Sequence, residues 1–249
     1  MVGNSFKNSY DYKRDLDSHM MKNTEWGAVA YLSHSKYGIN SQIRINNNSA
    51  YITGYSGTEE PTVANNNGIS TSGNVFMSTA LGIDGTYTIN YLNPSSVISS
   101  TTGNYSGIYD MSGGALEHVT GYTAGTNGTT VTGGSSGITT LYPNFFTNSE
   151  YTKYWDKYTS TAQTNFNNRI LGDATGELGP FYKSADPDSL LRQKSSWYDD
   201  FAYFANSTYR WFYRGGDINS GTGTGTFASY GYTGAVSTDL SFRIVLTPQ

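Results

Sequence analysis

The chain has 249 residues, which suits a single large domain, and a formal net charge of −4. This mild acidity argues against a nucleic-acid or anionic-membrane partner, because phosphate groups are bound by basic surfaces. The absence of cysteine excludes disulfides, thiolate catalysis and cysteine-ligated zinc or iron–sulfur sites. The three histidines leave little material for a histidine-built metal centre.

Aromatic residues make up 15% of the chain and charged residues only 14%. Disordered chains have few aromatics and a high net charge, so this composition predicts a folded protein with many polar loops. Tyrosine combined with serine, glycine and asparagine is typical of recognition surfaces, and a neutral surface of this kind favours an extracellular location. No apolar run is long enough to span a membrane, and residues 1–17 do not read as a signal peptide.

The polar residues 1–20 predict an N-terminal arm with weak structure, followed by one domain over residues 21–249. The domain opens with the best helix signal of the chain. Asn23 is a good cap, Glu25 lies near the positive end of the helix, and Gly38 is a typical stop. One face of this helix is apolar or small at helical spacing: Trp26, Val29, Ala30 and Ser33.

Short alternating segments and long Gly/Asn/Ser/Thr-rich loops follow, which predicts an α+β domain with few helices. Strands are predicted within 43–52, 75–92, 115–120, 129–132, 211–214 and 241–246, and short helices at 150–158 and 164–171. A densely aromatic stretch occupies 197–204, and residues 217–239 read as one long loop. Loops of this length in a compact domain usually carry function.

The sequence motifs that would indicate catalysis, phosphate binding or metal binding match only in part. Residues 133–137 fit the G-x-S-x-G pattern, but no histidine follows to act as the base, and the glycine run 221–226 lacks the lysine of a phosphate loop. The histidine in Glu117-His118 has no second histidine at metal spacing. Asp186 and Asp188 could help to bind a structural calcium ion, and no other cofactor is expected. The carboxylate pairs that a glycoside hydrolase would need lie only one or two positions apart in sequence: Glu59/Glu60, Asp186/Asp188 and Asp199/Asp200.

Three segments resemble the formylglycine-generating-enzyme superfamily. Residues 23–30, NTEWGAVA, resemble its E-W helix, and residues 104–117, NYSGIYDMSGGALE, resemble its G-L-Y-D-M core. The third consists of WFYRGG at 211–216 together with SFRIVL at 241–246, which resemble its closing R-G-G and G-F-R pair. The resemblance implies a C-type-lectin-like fold in which these motifs form the scaffold.

Departures from the family pattern indicate a branch without catalysis. The family's oxidases bind copper through two cysteines, which this chain lacks, and its iron-dependent relatives need a histidine-rich site. The remaining branch resembles variable proteins of diversity-generating retroelements and phage or bacterial receptor-binding proteins. It displays changeable residues between the R-G-G and F-R segments. The resemblance therefore implies a ligand-binding face at residues 217–240.

The outward-facing residues of this segment are the predicted ligand contacts: Asp217, Ile218, Asn219, Thr222, Thr224, Phe227, Ser229, Tyr230, Tyr232, Thr238 and Asp239. The motif residues are the predicted scaffold: Trp26, Tyr109, Asp110, Gly113, Glu117, Trp211, Arg214, Gly215, Gly216, Phe242 and Arg243. Among these, the four large aromatics are expected to be buried. Arg214 and Arg243 are expected to pair with backbone carbonyls or with a carboxylate such as Glu117.

Three functions remain open from the sequence. The first is a non-enzymatic adhesin or receptor-binding module on a cell surface, pilus or virion, with a protein or glycan ligand and no membrane insertion. The second is a structural or filament-forming subunit of a larger assembly. The third is a carboxylate-based hydrolase. The aromatic run 197–204 separates the first two, because it would be mostly buried in a binding module and exposed in a filament subunit.

Overall fold

The computed structural model describes residues 1–43, 56, 100–104, 106–124, 134–159, 182–183, 193–194, 197–198 and 200–247. Over these residues the predicted α+β class with few helices is confirmed. The helices are α1 (Val2–Tyr10), α2 (Asn23–His34), α3 (Ile138–Leu141) and α4 (Ser149–Thr152). The first strands are β1 (His19–Met20), β2 (Leu116–Ala124), β3 (Asp156–Thr159), β4 (Tyr182–Lys183) and β5 (Gln193–Lys194). The later strands are β6 (Phe201–Ala202), β7 (Trp211–Gly215), β8 (Gly225–Tyr232), β9 (Leu240–Phe242) and β10 (Ile244–Val245).

Several predicted features lie outside the described residues. They are the strands within 75–92 and 129–132, the strand within 43–52 apart from Ile43, the helix 164–171, the carboxylates Glu59, Glu60 and Asp199, and the calcium candidates Asp186 and Asp188.

The predicted helix is confirmed as α2, although its N-cap is Lys22 rather than Asn23 and it ends at His34 rather than near Gly38. Its free N-terminal amides are satisfied by carboxylates, because Glu25 accepts from the Lys22 N–H at 2.9 Å and Asp156 accepts from the Thr24 N–H at 2.8 Å. The helix stops because Ser35 adopts an extended backbone. On the predicted face, Trp26, Ala30 and Ser33 are buried and Val29 is half-buried.

The prediction of a weakly structured arm is wrong, because helix α1 is part of the core. Val2 and Phe6 are fully buried and Tyr10 is 6% exposed. These three residues follow one another at intervals of four and so share one helix face. They pack in one cluster with Tyr122 and Trp211 of the sheet. This spacing is not evident in the sequence because polar residues surround the three apolar positions.

The described strands form a mixed sheet with the order β3-β2-β7-β8-β6-β5-β4, and β9 also pairs with β2. Strands β2, β7 and β8 are antiparallel neighbours at its centre, whereas β3 and β9 run parallel to β2. One core cluster, around Trp26, Phe212 and Phe227, covers one face. The other cluster, around Phe6, Tyr122 and Trp211, covers the opposite face.

Two further predictions need correction. The helix expected over 150–158 is limited to α4, and the chain then enters strand β3, where buried and exposed residues alternate. The segment 217–239 is not one continuous loop, because it contains β8, which pairs with β7 on one side and β6 on the other. Its Gly/Thr/Ser composition concealed a central strand, since small residues fit where packed neighbours cover both faces.

The two ends of the described chain are joined. Strand β1 pairs with β10, placing His19 opposite Val245 and Met20 opposite Ile244. The Thr247 N–H also donates to the Leu16 carbonyl at 2.8 Å. Across the described parts of the chain, no helix has the length and hydrophobicity needed to cross a membrane.

Candidate ligand-binding face

Arg243 joins two of the motif segments that the resemblance singled out. Its guanidinium forms two bonds with the Glu117 carboxylate, one of them from Nε to Oε2 at 2.6 Å. It also donates to the carbonyls of Tyr109 at 3.2 Å and Asp110 at 2.7 Å. Burial raises the pKa of Glu117, and the paired guanidinium opposes that rise. The predicted pairing of Arg243 is therefore confirmed.

Both motif arginines lie near the ring of Trp26. The guanidinium carbons of Arg243 and Arg214 are 5.4 Å and 5.9 Å from its ring centroid. Arg214 is fully buried and donates to Asn23 Oδ1 at 3.3 Å, so its partner is an amide of α2 rather than Glu117. The three separated motif segments thus meet around one tryptophan.

The backbone conformation of the R-G-G segment requires its two glycines. Gly215 and Gly216 have φ of +89° and +85°, in the left-handed region that side chains rarely adopt. The Gly113 N–H donates to the Gly215 carbonyl at 3.1 Å, which ties the second motif to the third. Trp211 is buried as expected, whereas Tyr109 and Phe242 are only half-buried and Asp110 is exposed.

The prediction that the 217–239 side chains all project outward is wrong for Thr224, Phe227 and Ser229, which are 0 to 1% exposed. Phe227 belongs to the core cluster around Trp26, and Ser229 lies opposite Arg214 in the sheet. Alternation along β8 explains Phe227 and Ser229, since they lie two residues apart and so share one face of the strand, whereas Thr224 is buried just before the strand begins.

Strand β8 also contains an irregularity, because Arg214 pairs with Ser229 and the next residue, Gly215, pairs with Gly225. The bulge leaves backbone groups without ladder partners. The Trp26 indole N–H donates to the Thr226 carbonyl at 2.7 Å, and Asp200 accepts from the Phe227 N–H at 2.9 Å. Two core side chains therefore replace the missing ladder bonds.

The remaining predicted contacts lie at the surface. Asn219, Tyr232, Thr238 and Asp239 are exposed, and Asp217, Ile218 and Tyr230 are half-buried; the side chain of Thr222 lies outside the description.

The predicted contacts at the surface form two patches. In the first patch, the Tyr230 hydroxyl donates to Ser220 Oγ at 3.2 Å. The Ser220 hydroxyl in turn donates to Asp217 Oδ1 at 2.7 Å. The Tyr230 ring stacks on Phe201 with centroids 4.6 Å apart. Burial raises the pKa of Tyr230 to about 12.

The second patch contains a pocket of about 130 Å³. Three predicted contacts line it, namely Tyr230, Tyr232 and Asp239. Five lining residues were not predicted: Leu116, Tyr213, Gly231, Ser237 and Leu240. Side chains alternate between the two faces of β7, so Tyr213 lies on the face opposite Phe212 and beside Tyr230. This alternation is a sequence signal from which Tyr213 could have been predicted. Leu116 and Leu240 depend on the β2–β9 pairing, which joins distant parts of the sequence.

Tyr213 is the most unusual residue of this pocket. It is 2% exposed, and its hydroxyl forms no hydrogen bond with any described residue. Its ring centroid lies 5.2 Å from that of Tyr232. Burial raises the pKa of Tyr213, and Tyr232 and Asp239 raise it further.

The side chains of Glu117 and His118 have separate partners on the two faces of the sheet. Neighbouring residues of β2 point to opposite faces, so Glu117 meets Arg243 while His118 packs against Tyr213 with ring centroids 4.4 Å apart. Burial lowers the pKa of His118 to about 3. Within the described ranges no three histidine, aspartate or glutamate side chains come together as metal ligands.

Neither models of known protein families nor curated proteins match this chain.

Proposed function

We propose that this protein is a non-enzymatic recognition module that binds its ligand at the face built by β8 and the segment leading into β9. The carrying observation is the tyrosine-lined pocket of about 130 Å³, which combines Tyr213, Tyr232 and Asp239. Rigid aromatics beside hydrogen-bonding groups are typical of ligand sites. The surrounding sheet holds these side chains in place before any ligand arrives, which reduces the entropy cost of binding.

The proposal includes a C-type-lectin-like fold. Its support is the meeting of the resembling segments around Trp26, where Arg214, Arg243 and Glu117 contribute their side chains. A shared motif that also forms one contiguous core is a stronger argument than sequence order alone. Under this proposal Arg214-Gly-Gly and Phe242-Arg243 frame the binding segment, and its surface residues can change without disturbing the core.

We place the protein on a cell surface, pilus or virion, where it would bind a protein or glycan on another surface. The aromatic run favours this over a filament subunit, since Ala202, Tyr203 and Phe204 are buried and Phe201 is half-buried. A neighbouring reverse-transcriptase gene with a near-copy of the 210–246 coding region would support diversification of this face.

The test is binding to arrays of cells, surface proteins and glycans, first with the native protein. Tyr232→Ala removes an aromatic ring that is 39% exposed at the pocket, and we expect at least a tenfold loss of binding. Tyr37→Ala is the matched control, because Tyr37 is 75% exposed and does not line this pocket. Equal binding by both variants would place the ligand elsewhere on the molecule.

A further inference from the structure

The pocket contains a buried hydroxyl that the described residues do not satisfy. The Tyr213 hydroxyl is buried and forms no hydrogen bond with any described residue, and Asp239 lines the same pocket. Buried polar groups without partners are rare in folded proteins, so each one calls for an explanation. A ligand that donates hydrogen bonds would supply the missing partner.

The charged group that lines the pocket is the Asp239 carboxylate, which is negative. Asp239 is exposed at the rim, and its backbone is held where the Leu116 N–H donates to its carbonyl at 3.0 Å. The Ser237 hydroxyl donates to its carboxylate and so orients it. Among the described lining residues none is basic, so the carboxylate has no cation of its own in the pocket. The site is therefore electrostatically complementary to a positive group.

Aromatic rings border the same opening. Tyr213, Tyr230 and Tyr232 line the pocket, and the Tyr232 ring is 39% exposed with its centroid 5.2 Å from that of Tyr213. The face of an aromatic ring carries partial negative charge and attracts ammonium and guanidinium groups. A carboxylate beside tyrosine faces is the combination that such groups bind.

We propose that this pocket binds the guanidinium or ammonium group of an arginine or lysine side chain on a partner protein, an inference that rests on the recognition function proposed above. A volume of about 130 Å³ takes the end of one side chain rather than a chain of sugars. The chain beside the pocket favours a protein partner, because Val236 and Thr238 flank the lining residue Ser237 and both are exposed, Val236 by 74%. Such flanking residues give a docking surface around the anchoring side chain.

The test is a titration of the full chain with single amino-acid derivatives, followed by NMR shifts of the tyrosine rings. Nα-acetyl-arginine amide is compared with Nα-acetyl-citrulline amide, which has nearly the same shape without the charge. Nα-acetyl-lysine amide is compared in the same way with Nα-acetyl-norleucine amide. We expect each cationic probe to bind at least tenfold more tightly than its neutral counterpart, and the affinity to fall as salt is added.

Variants assign the binding to named groups. Asp239→Asn keeps the shape of an exposed side chain and should weaken the cationic probes at least tenfold. Tyr213→Phe removes only the hydroxyl and should weaken them severalfold. Asp15→Asn is the matched control, because Asp15 is an exposed carboxylate outside the proposed binding face and does not line the pocket, and it should change nothing.

Each other outcome overturns the cation proposal in a recognisable way. If methyl hexosides or the neutral derivatives bind as well as the cationic probes, the pocket recognises ligands but not positive charge. If no probe binds while Tyr232→Ala still abolishes binding in the arrays, the face functions with another ligand chemistry. If the native protein binds in the arrays and Tyr232→Ala leaves that binding unchanged as well, the ligand binds elsewhere on the molecule and the proposed binding face is wrong.

Discussion

At the scale of single residues, His118 shows how burial controls protonation. Its ring is 1% exposed, forms no hydrogen bond with any described residue, and packs against Tyr213. Burial lowers its pKa from 6.5 to about 3, because the charged imidazolium would lose its hydration without gaining a partner.

This shift predicts a loss of stability in acid. Between pH 6.5 and about 3 the unfolded chain binds a proton at this position and the folded chain does not, so the free energy of unfolding falls as the pH falls. The slope contributed by one such group reaches about 1.4 kcal/mol per pH unit. His118→Phe should remove this component, which urea unfolding at several pH values measures.

His19 provides the control of opposite sign. Burial lowers its pKa, but the Glu25 carboxylate and the Asp17 carbonyl more than compensate and leave it above 6.5. Its contribution to stability is therefore present below pH 6.5 and disappears as the pH rises through the folded-state value. His19→Gln should weaken the protein more at low pH than at high pH. If His118→Phe showed the same trend as His19→Gln, the assignment of His118 would be wrong.

At the scale of secondary structure, helix α1 is held by aromatic contacts rather than by capping. Met1 makes no side-chain cap, and no acidic residue lies in the first turn. Instead, the Phe6 ring meets Tyr142 and Phe145 edge-on, with centroids 5.3 Å and 4.8 Å away. A short helix of this kind is stabilised by tertiary packing, since isolated helices of this length are marginal in water.

Removal of the Phe6 ring should therefore be costly. We expect Phe6→Ala to lower the free energy of unfolding by about 3–5 kcal/mol, the range for a fully buried aromatic. Tyr12→Ala, at a residue that is 59% exposed, should change it by about 0.5 kcal/mol or less. Denaturant unfolding compares the two, and equal values would mean that α1 behaves as a loose arm after all.

At the scale of the whole molecule, Arg243 and Glu117 connect the end of the chain to its central strand. Arg243 lies between β9 and β10, while Glu117 lies in β2. Their side chains are 21% and 8% exposed. Removing one member of a buried pair leaves the other charge without compensation, which costs more than the pair contributes relative to apolar residues.

We expect Arg243→Met to lower the free energy of unfolding by about 3 kcal/mol, at the lower end for buried pairs because the arginine is partly exposed. The double variant Glu117→Leu with Arg243→Met should recover part of that loss. Lys7→Ala breaks an exposed pair and should cost less than about 1 kcal/mol. A loss for Arg243→Met no larger than for Lys7→Ala would exclude the bridge as an anchor.

The sequence alone was enough to predict α2, β7 and the α+β class, because helical spacing around Trp26 and the run Trp211–Arg214 are local signals. Through the motif resemblance it also predicted that Arg243 pairs with backbone carbonyls or with a carboxylate such as Glu117, and the structure has both. Tertiary structure alone decided that β8 is a central strand and that Phe227 faces the core. It also decided that Tyr213 shares a pocket with Asp239. Local periodicity cannot specify such contacts, since they arise when strands distant in sequence pair and turn a given side chain inward or outward.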